Sequence, residues 1–425
     1  MRNSDGKITL YLLNYNYFEY LQHSVESLLD QSDKDFEVIL IDNGSKDASV
    51  EYMSAISELH GWSFLQFDNI SLGAVGNKIL SLASCEYIVR LDADDWLDKN
   101  FIKNMKQIIH NESPSLIFGN FYYVDGEDNL VGSHECLDRG YSSDKITHDE
   151  PLHGACTLIN KSNFKDFGGY YEEFKCQDGF DLYLKLRNQK ISLLKKKCFY
   201  YRRGHSSLSS DKSRLFDTRI KIVEKRFSEE GVRNPSELIL LINDSKSETT
   251  SLERSNILKL SCRINAYSNS NSVCIVIGVR DELKDWENDE NIQIEQWSES
   301  EAMHISSSKL VRRLRENKTF DYISLVNVSG EIVPFPYIVQ ASKVAVLFNT
   351  QGTISGYRFD QSLFRPVCGG VQQVSMEGAV KDLDRWVLHI GGLTCLKYEF
   401  IDVNHPLFSL MEVDPTSLLK CSIEK

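Results

Sequence analysis

The chain has 425 residues, enough for two to three domains with cores of their own and no reliance on disulfides. At 41% hydrophobic and 26% charged residues it has the composition of an ordinary soluble globular protein. Its 61 Asp+Glu outweigh 48 Lys+Arg to leave a formal charge of −13, which repels a polyanion, excludes whole-surface nucleic-acid binding and makes any phosphate site a local one.

In chain order, residues 1–6 run straight into a strand-like ITLYLL at 8–13, without the apolar core and cleavage site of a signal peptide. Leu21, Val25, Leu28 and Leu29 follow at helical spacing, and the run 36–41 (FEVILI) has the character of a buried strand. Residues 62–67 form the next expected strand, 74–83 a helix, and 87–91 a strand that runs directly into aspartates. This alternation is that of an α/β sheet, whose ligands sit beyond the carboxyl ends of the strands. Three of those ends carry polar, turn-prone clusters: Asn14-Tyr15-Asn16, Asp42-Asn43-Gly44-Ser45 and Asp92-Ala93-Asp94-Asp95.

Polar stretches at 243–251 and 265–272 make 227–272 a helical and polar linker. A second α/β pattern begins with VCIVIGV at 273–279. The expected organisation is therefore a first domain over 1–226, this linker, and a C-terminal α/β domain of unknown role over 273–425. The longest aliphatic run, 238–242, falls far short of the roughly 20 residues of a membrane span, so a cytoplasmic chain is expected. The ten cysteines include no CxxC pair, which excludes zinc-finger spacing and leaves reduced, buried thiols.

The acidic cluster is the sharpest chemical signal. Carboxylates at 92, 94 and 95 repel one another unless a cation lies among them, and a hard divalent ion shared with substrate phosphates answers that need. A solvated helix-capping turn is the plainer alternative.

Taken with its neighbours, the cluster resembles that of the family 2 glycosyltransferases with a GT-A fold. The resemblance is carried by LLNYN at 12–16, SLLDQS at 27–32, FEVILIDNGSKD at 36–47, Gly73 and Asn77 before the acidic strand, LDADD at 91–95, FGGYYEEF at 167–174 and QDGFDLYLKL at 177–186. It covers about 8–210. It implies a nucleotide-sugar-binding mixed sheet flanked by helices, and inverting transfer of a sugar from a nucleotide diphosphate, UDP for preference, to a hydroxyl of a glycan or lipid-linked acceptor, as in polysaccharide biosynthesis.

By the same resemblance, Asn14, Tyr15, Asn16 and Asp42 line the nucleoside pocket, with Gly73, Asn77, Asp92, Ala93 and Asp95 completing the donor site. Asp94 and His205 are the metal ligands for Mn²⁺ or Mg²⁺, and Asp178 is the general base, with Asp181 the competing carboxylate. Gly76 stands where the family often carries Arg, so that either Lys78 substitutes for that cation or the phosphates depend more heavily on the metal and His205.

The basic tract 195–197 with Arg202 and Arg203 gives a peripheral membrane contact as one reading and a solvated face as the other. A homo-oligomer is compatible with the sequence. A sugar nucleotidyltransferase is disfavoured, because the turn after the first strand has no glycine-rich, basic phosphate loop. A nucleotide- or glycan-binding pseudo-enzyme remains the non-enzymatic alternative.

One internal comparison stands out. Residues 86–97 (EYIVRLDADDWL) parallel 321–332 (DYISLVNVSGEI), where Asn327, Ser329 and Gly330 replace Asp92, Asp94 and Asp95. The second domain is on this reading a degenerate GT-A-like unit, against the plain alternative of any strand followed by a turn.

Overall fold

The computed structural model of the chain describes residues 6–134, 154–204 and 212–242, with 273–277, 293–296, 321–327, 343, 352–355, 359–360, 365–366, 372–373 and 393–397. These divide into two units, the first ending at Arg219 and the second beginning at Ile220.

The first unit is built on a mixed sheet with helices around it. Its leading elements are Ile8–Asn14 (β1), Phe18–Leu29 (α1), Glu37–Asp42 (β2), Ser49–His60 (α2), Ser63–Gln66 (β3), Leu72–Leu82 (α3) and Tyr87–Asp92 (β4). Near-continuous burial along β1, β2 and β4 is the pattern of parallel strands covered on both faces. Then follow Trp96–Leu97 (β5), Phe101–Glu112 (α4), Leu116–Gly119 (β6), Phe121–Val124 (β7), Leu130–His134 (β8), Leu158–Asn160 (β9), Lys161–Asp166 (α5), Asp178–Leu186 (α6), Ile191–Leu194 (β10) and Phe199–Arg202 (β11), and the sequence boundary between the units falls within Lys212–Glu229 (α7).

The seven-stranded sheet has the order β10-β6-β9-β4-β1-β2-β3. β1 pairs in parallel with both β2 and β4, so the order reverses at β1. The carboxyl ends of β1, β2 and β4 therefore open onto a topological switch point, and all three expected clusters lie there. A smaller sheet, β5-β11-β7-β8, brings Arg202 at the end of β11 close to the residues that follow β4. The core packs Leu21, Val25 and Leu28 of α1, and Phe101, Ile102, Met105 and Ile109 of α4, with Leu10, Leu12, Leu40 and Leu91. Each such side chain contributes about 1.5–3 kcal/mol through burial.

The second unit holds Glu237–Ile242 (β12), Val273–Ile277 (β13), Gln293–Gln296 (β14), Tyr322–Asn327 (β15), Gly352–Ser355 (β16), a ribbon of Phe359–Asp360 (β17) with Arg365–Pro366 (β18), Gln372–Gln373 (β19) and Leu393–Lys397 (β20). Its main sheet runs β14-β13-β12-β15-β20-β16-β19. That order repeats β3-β2-β1-β4-β9-β6-β10 of the first unit. The senses agree as well: β12 is parallel to β13 and β15, while β20 is antiparallel to β15 and β16, as β9 is to β4 and β6. Only the last strand differs, β19 being antiparallel to β16 where β10 is parallel to β6.

One boundary differs from expectation. β12 lies inside the stretch expected to be linker, yet it is an internal strand of the second sheet, paired with both β13 and β15. Its ELILLI run is flanked by polar residues on both sides, and composition over a long window hides six apolar-rich residues. Among the described residues Cys85, Cys156, Cys176 and Cys198 are free thiols. No helix among them is long and apolar enough to cross a membrane.

Candidate active site

The turn after β1 is stitched to the turn after β2. Asn14, fully buried, donates from Nδ2 to Asp42 Oδ1 at 3.1 Å and to Ser45 Oγ at 3.0 Å, while its Oδ1 is buried without a partner. Asp42 Oδ2 accepts from the backbone N–H groups of Gly44 and Ser45 at 3.1 and 2.9 Å. This carboxylate is 1% exposed and organises the turn, as short Asp side chains do. Asn16 has φ 57°, donates its N–H to Ser45 Oγ and accepts from Lys46 N at 2.7 Å. Tyr15 between them is 45% exposed.

Gly73 and Asn77, expected at the donor, are packed by their own chain. A Cβ at Gly73 would lie 2.5 Å from the Tyr171 carbonyl oxygen, and one at Gly76 would lie 2.6 Å from the Tyr170 ring. Asn77 clamps the same loop, donating to Tyr170 O (3.0 Å) and Glu172 Oε1 (2.8 Å) and accepting from Tyr170 N (2.8 Å). The ring of Tyr170 thus fills the space where an arginine at position 76 would begin. Lys78, the substitute cation, is exposed and sits 5.5 Å over the Phe67 ring.

At the end of β4 the three aspartates part company. Asp92 keeps a 29% exposed side chain and pairs with Arg90 at 2.9 Å. Burial, opposed by Arg90 and reinforced by Asp94 and Asp178, pushes its carboxyl up to about 6. Ala93 is fully buried, its N–H bonded to Leu13 O and its carbonyl to Ser24 Oγ. Asp94 is 7% exposed. Asp95 turns inward: Oδ1 accepts from Arg202 N at 2.9 Å, while Oδ2 is buried with no partner. Burial, Asp94 and Asp92 together push its carboxyl well above the usual range.

Arg202 is 2% exposed and bonds the backbone oxygens of Asp94, Asp125 and Gly126, also pairing with Asp128. It fixes the acidic turn, and its guanidinium lies 5.1 Å over the Trp96 ring. His205 lies outside the described residues.

The two candidate bases differ sharply. Asp181 is 2% exposed; Lys185 Nζ sits 2.9 and 3.0 Å from its two oxygens, and Tyr171 N donates to Oδ2 at 3.1 Å. Asp178, in the first turn of α6, has a 14% exposed side chain, and its Oδ2 accepts from Arg90 Nη1 at 2.6 Å. Geometry separates a structural carboxylate from a reachable one.

Arg90 was not among the expected site residues. It is buried on β4, its side chain 8% exposed, and it joins Asp92 to Asp178. A cation inside the aliphatic strand YIVRL was the available signal. Gly154 is the other omission, since a Cβ there would overlap the Asp178 carboxylate.

Among the described residues no three or more His, Cys, Asp or Glu side chains converge as a complete metal-ligand set. The donor chemistry nevertheless fits a hard cation: Asp92, Asp94 and Asp95 lie within four residues, Arg90 pairs among the described residues only with Asp92 and Asp178, and Asp95 Oδ2 is buried without a hydrogen-bond partner.

Comparisons place this arrangement. The family model described as Glycosyl transferase family 2 matches residues 9–168. Glycosyltransferase GlyA of Streptococcus pneumoniae serotype 4 is 27% identical over 207 residues, covering 46% of this chain and 29% of that protein. Glycosyltransferase GlyG of the same organism is 31% identical over 121 residues, covering 27% and 38%. Chondroitin synthase of Pasteurella multocida is 24% identical over 206 residues, covering 45% and 20%. The chain therefore spans well under half the length of these relatives. Among solved structures, S. aureus TarS 1-349 in complex with UDP-GlcNAc is 18% identical with a TM-score of 0.42, covering 52% of this chain and 66% of that one. The glycosyl transferase family 2 model thus matches the part of the chain that carries the mixed sheet and the aspartates at its switch point.

Proposed function

We propose that the first unit transfers a sugar, with inversion, from a nucleoside diphosphate donor, UDP for preference, to a hydroxyl of a glycan or lipid-linked acceptor. One observation carries this reading: Asp92 at the end of β4 and Asp178 at the start of α6 face one another across Arg90, one carboxylate for each reaction partner. The stitched turns around Asn14 and Asp42 lie beside them at the switch point, and support a nucleoside pocket there.

In this reaction the acceptor oxygen bonds to the anomeric carbon as the bond from that carbon to the phosphate oxygen breaks. The diphosphate leaves with the electron pair. Asp178 takes the hydroxyl proton from the opposite face, its reachable carboxylate suiting it to that step where the doubly bound Asp181 is not. Asp92 orients the donor sugar or ribose. Asp94, with Asp95 behind it, would hold a divalent metal, Mn²⁺ or Mg²⁺, which when bound neutralises charge on the diphosphate. Arg202 keeps the acidic turn in place from beneath.

The test is release of nucleoside diphosphate from UDP-glucose, UDP-galactose, UDP-N-acetylglucosamine and GDP-mannose, with Mn²⁺, Mg²⁺ or EDTA. Metal-dependent release is expected in the unmutated protein. Loss of about 100-fold or more is expected in Asp94→Ala and in Asp178→Asn, the scale of a general base. Nucleotide binding without release from any donor, across a varied acceptor pool, overturns enzymatic transfer in favour of a binding module.

A further inference from the structure

The Asp178 carboxylate is held from two sides. Arg90 Nη1 reaches its Oδ2 at 2.6 Å, and the backbone at Gly154 closes over the same oxygen so tightly that a methyl group there would overlap it. No donor among the described residues other than Arg90 reaches this carboxylate. Oδ2 is thereby occupied, which leaves Oδ1 to meet a ligand. The same guanidinium reaches Asp92 through Nε at 2.9 Å and through Nη2 at 3.4 Å. It is further surrounded by the hydroxyls of Tyr11 on β1 and Tyr170 in the loop before α6. Arg90 remains a cation throughout, and its planar fork fixes the direction of each bond it makes, as an ammonium does not.

We propose that Arg90 is a positioning residue: it pins Asp178 by Oδ2, presents Oδ1 alone to the acceptor hydroxyl, and sets the spacing between this base and the donor-side carboxylate Asp92. The proposal rests on the reading of Asp178 as the base. Arg90 itself touches no reacting atom and cannot accept a proton, so its effect passes through Asp178. Removing it frees the carboxylate to rotate, and a misplacement of about 1 Å is worth on the order of 100-fold in rate. Gly154 acts in the same direction, because a residue without a side chain there leaves Asp178 Oδ2 its place against Arg90.

The experiment is a double-mutant cycle on the full chain, following diphosphate release from whichever of the four donors above turns over fastest. Variants are Arg90→Lys, Arg90→Met, Asp178→Asn, Arg90→Met with Asp178→Asn, and Gly154→Ala. Folding is checked by melting temperature and donor binding by calorimetry. Gly154→Ala keeps every charge, so it carries the test if Arg90→Met does not fold. Arg90→Met and Gly154→Ala are expected to lower kcat by roughly 100-fold with donor affinity within about threefold, and Arg90→Lys to recover part of the loss. In the Asp178→Asn background Arg90→Met is expected to cost nothing further, because both changes remove one function.

Full additivity of the two losses overturns the proposal, as does normal kcat in folded Arg90→Met or Gly154→Ala. An Asp178→Asn variant with undiminished kcat overturns the base assignment itself, a result read from that variant alone. Absence of release from every donor in the unmutated protein removes the transfer reading and this proposal with it.

Discussion

Lys185 and Asp181 form an ion pair whose side chains are 1% and 3% exposed. The ammonium also donates to Gly169 O at 2.6 Å and lies 3.4 Å from the centre of the Tyr171 ring. Lys185 thus ties α6 to the loop before it. Burial, with Lys185 opposing and Asp178 adding, pushes the Asp181 carboxyl up to about 6. Removing the lysine leaves an uncompensated buried charge, so Lys185→Met is expected to destabilise the first unit by about 3–5 kcal/mol near pH 7. The sign with pH follows. Once the lysine is gone, the folded state holds the Asp181 proton more tightly still, while the unfolded value stays near 3.8. The loss therefore shrinks as pH falls through about 6 and the carboxyl takes up its proton. Urea unfolding at pH 5 and pH 8 measures it, and an equal loss at both would mean that charge is not the cause.

At the scale of elements, the first unit's strands were legible because the sheet is written in runs of apolar residues, each ending in a turn-forming cluster. Asn14, Asp42 and Asp92 each close a strand, and the order of those strands brings the three ends together. The partner of Arg90 was not legible, since Asp178 is 88 residues away and no local pattern joins β4 to α6. The same limit hid the roles of Gly73, Gly76 and Asn77. Gly73 and Asn77 read as part of the donor site and Gly76 as a missing arginine, and the structure adds that α3 packs through them on the loop around Tyr170, nearly a hundred residues on. If that packing is what position 76 serves, Gly76→Ala meets the Tyr170 ring and is expected to cost about 1–3 kcal/mol by overpacking. Chemical denaturation measures the cost. Unchanged stability would show that the ring yields without loss and that packing is not the reason for glycine at that position.

For the molecule as a whole, the repeated strand order bears on how many donor sites one chain contains. β1 pairs with β4 from Ile8↔Tyr87 to Leu13↔Asp92, and β12 pairs with β15 from Glu237↔Tyr322 to Ile242↔Asn327. Tyr87 and Tyr322 hold the same place in the two sheets, which is the alignment that the sequence comparison of 86–97 with 321–332 had given. On this register Leu325 stands where the first unit has Arg90, and Asn327 where it has Asp92. At these described positions the second sheet keeps the strand order of the first without the carboxylate of Asp92 and without the arginine beside it. One nucleoside diphosphate per chain is the expected stoichiometry in calorimetry with UDP and Mn²⁺, and Asp42→Ala with Asp94→Ala should abolish all of it. A second equivalent of UDP, bound by the chain carrying both substitutions, would show that the C-terminal sheet recognises nucleotide through residues the first unit does not use.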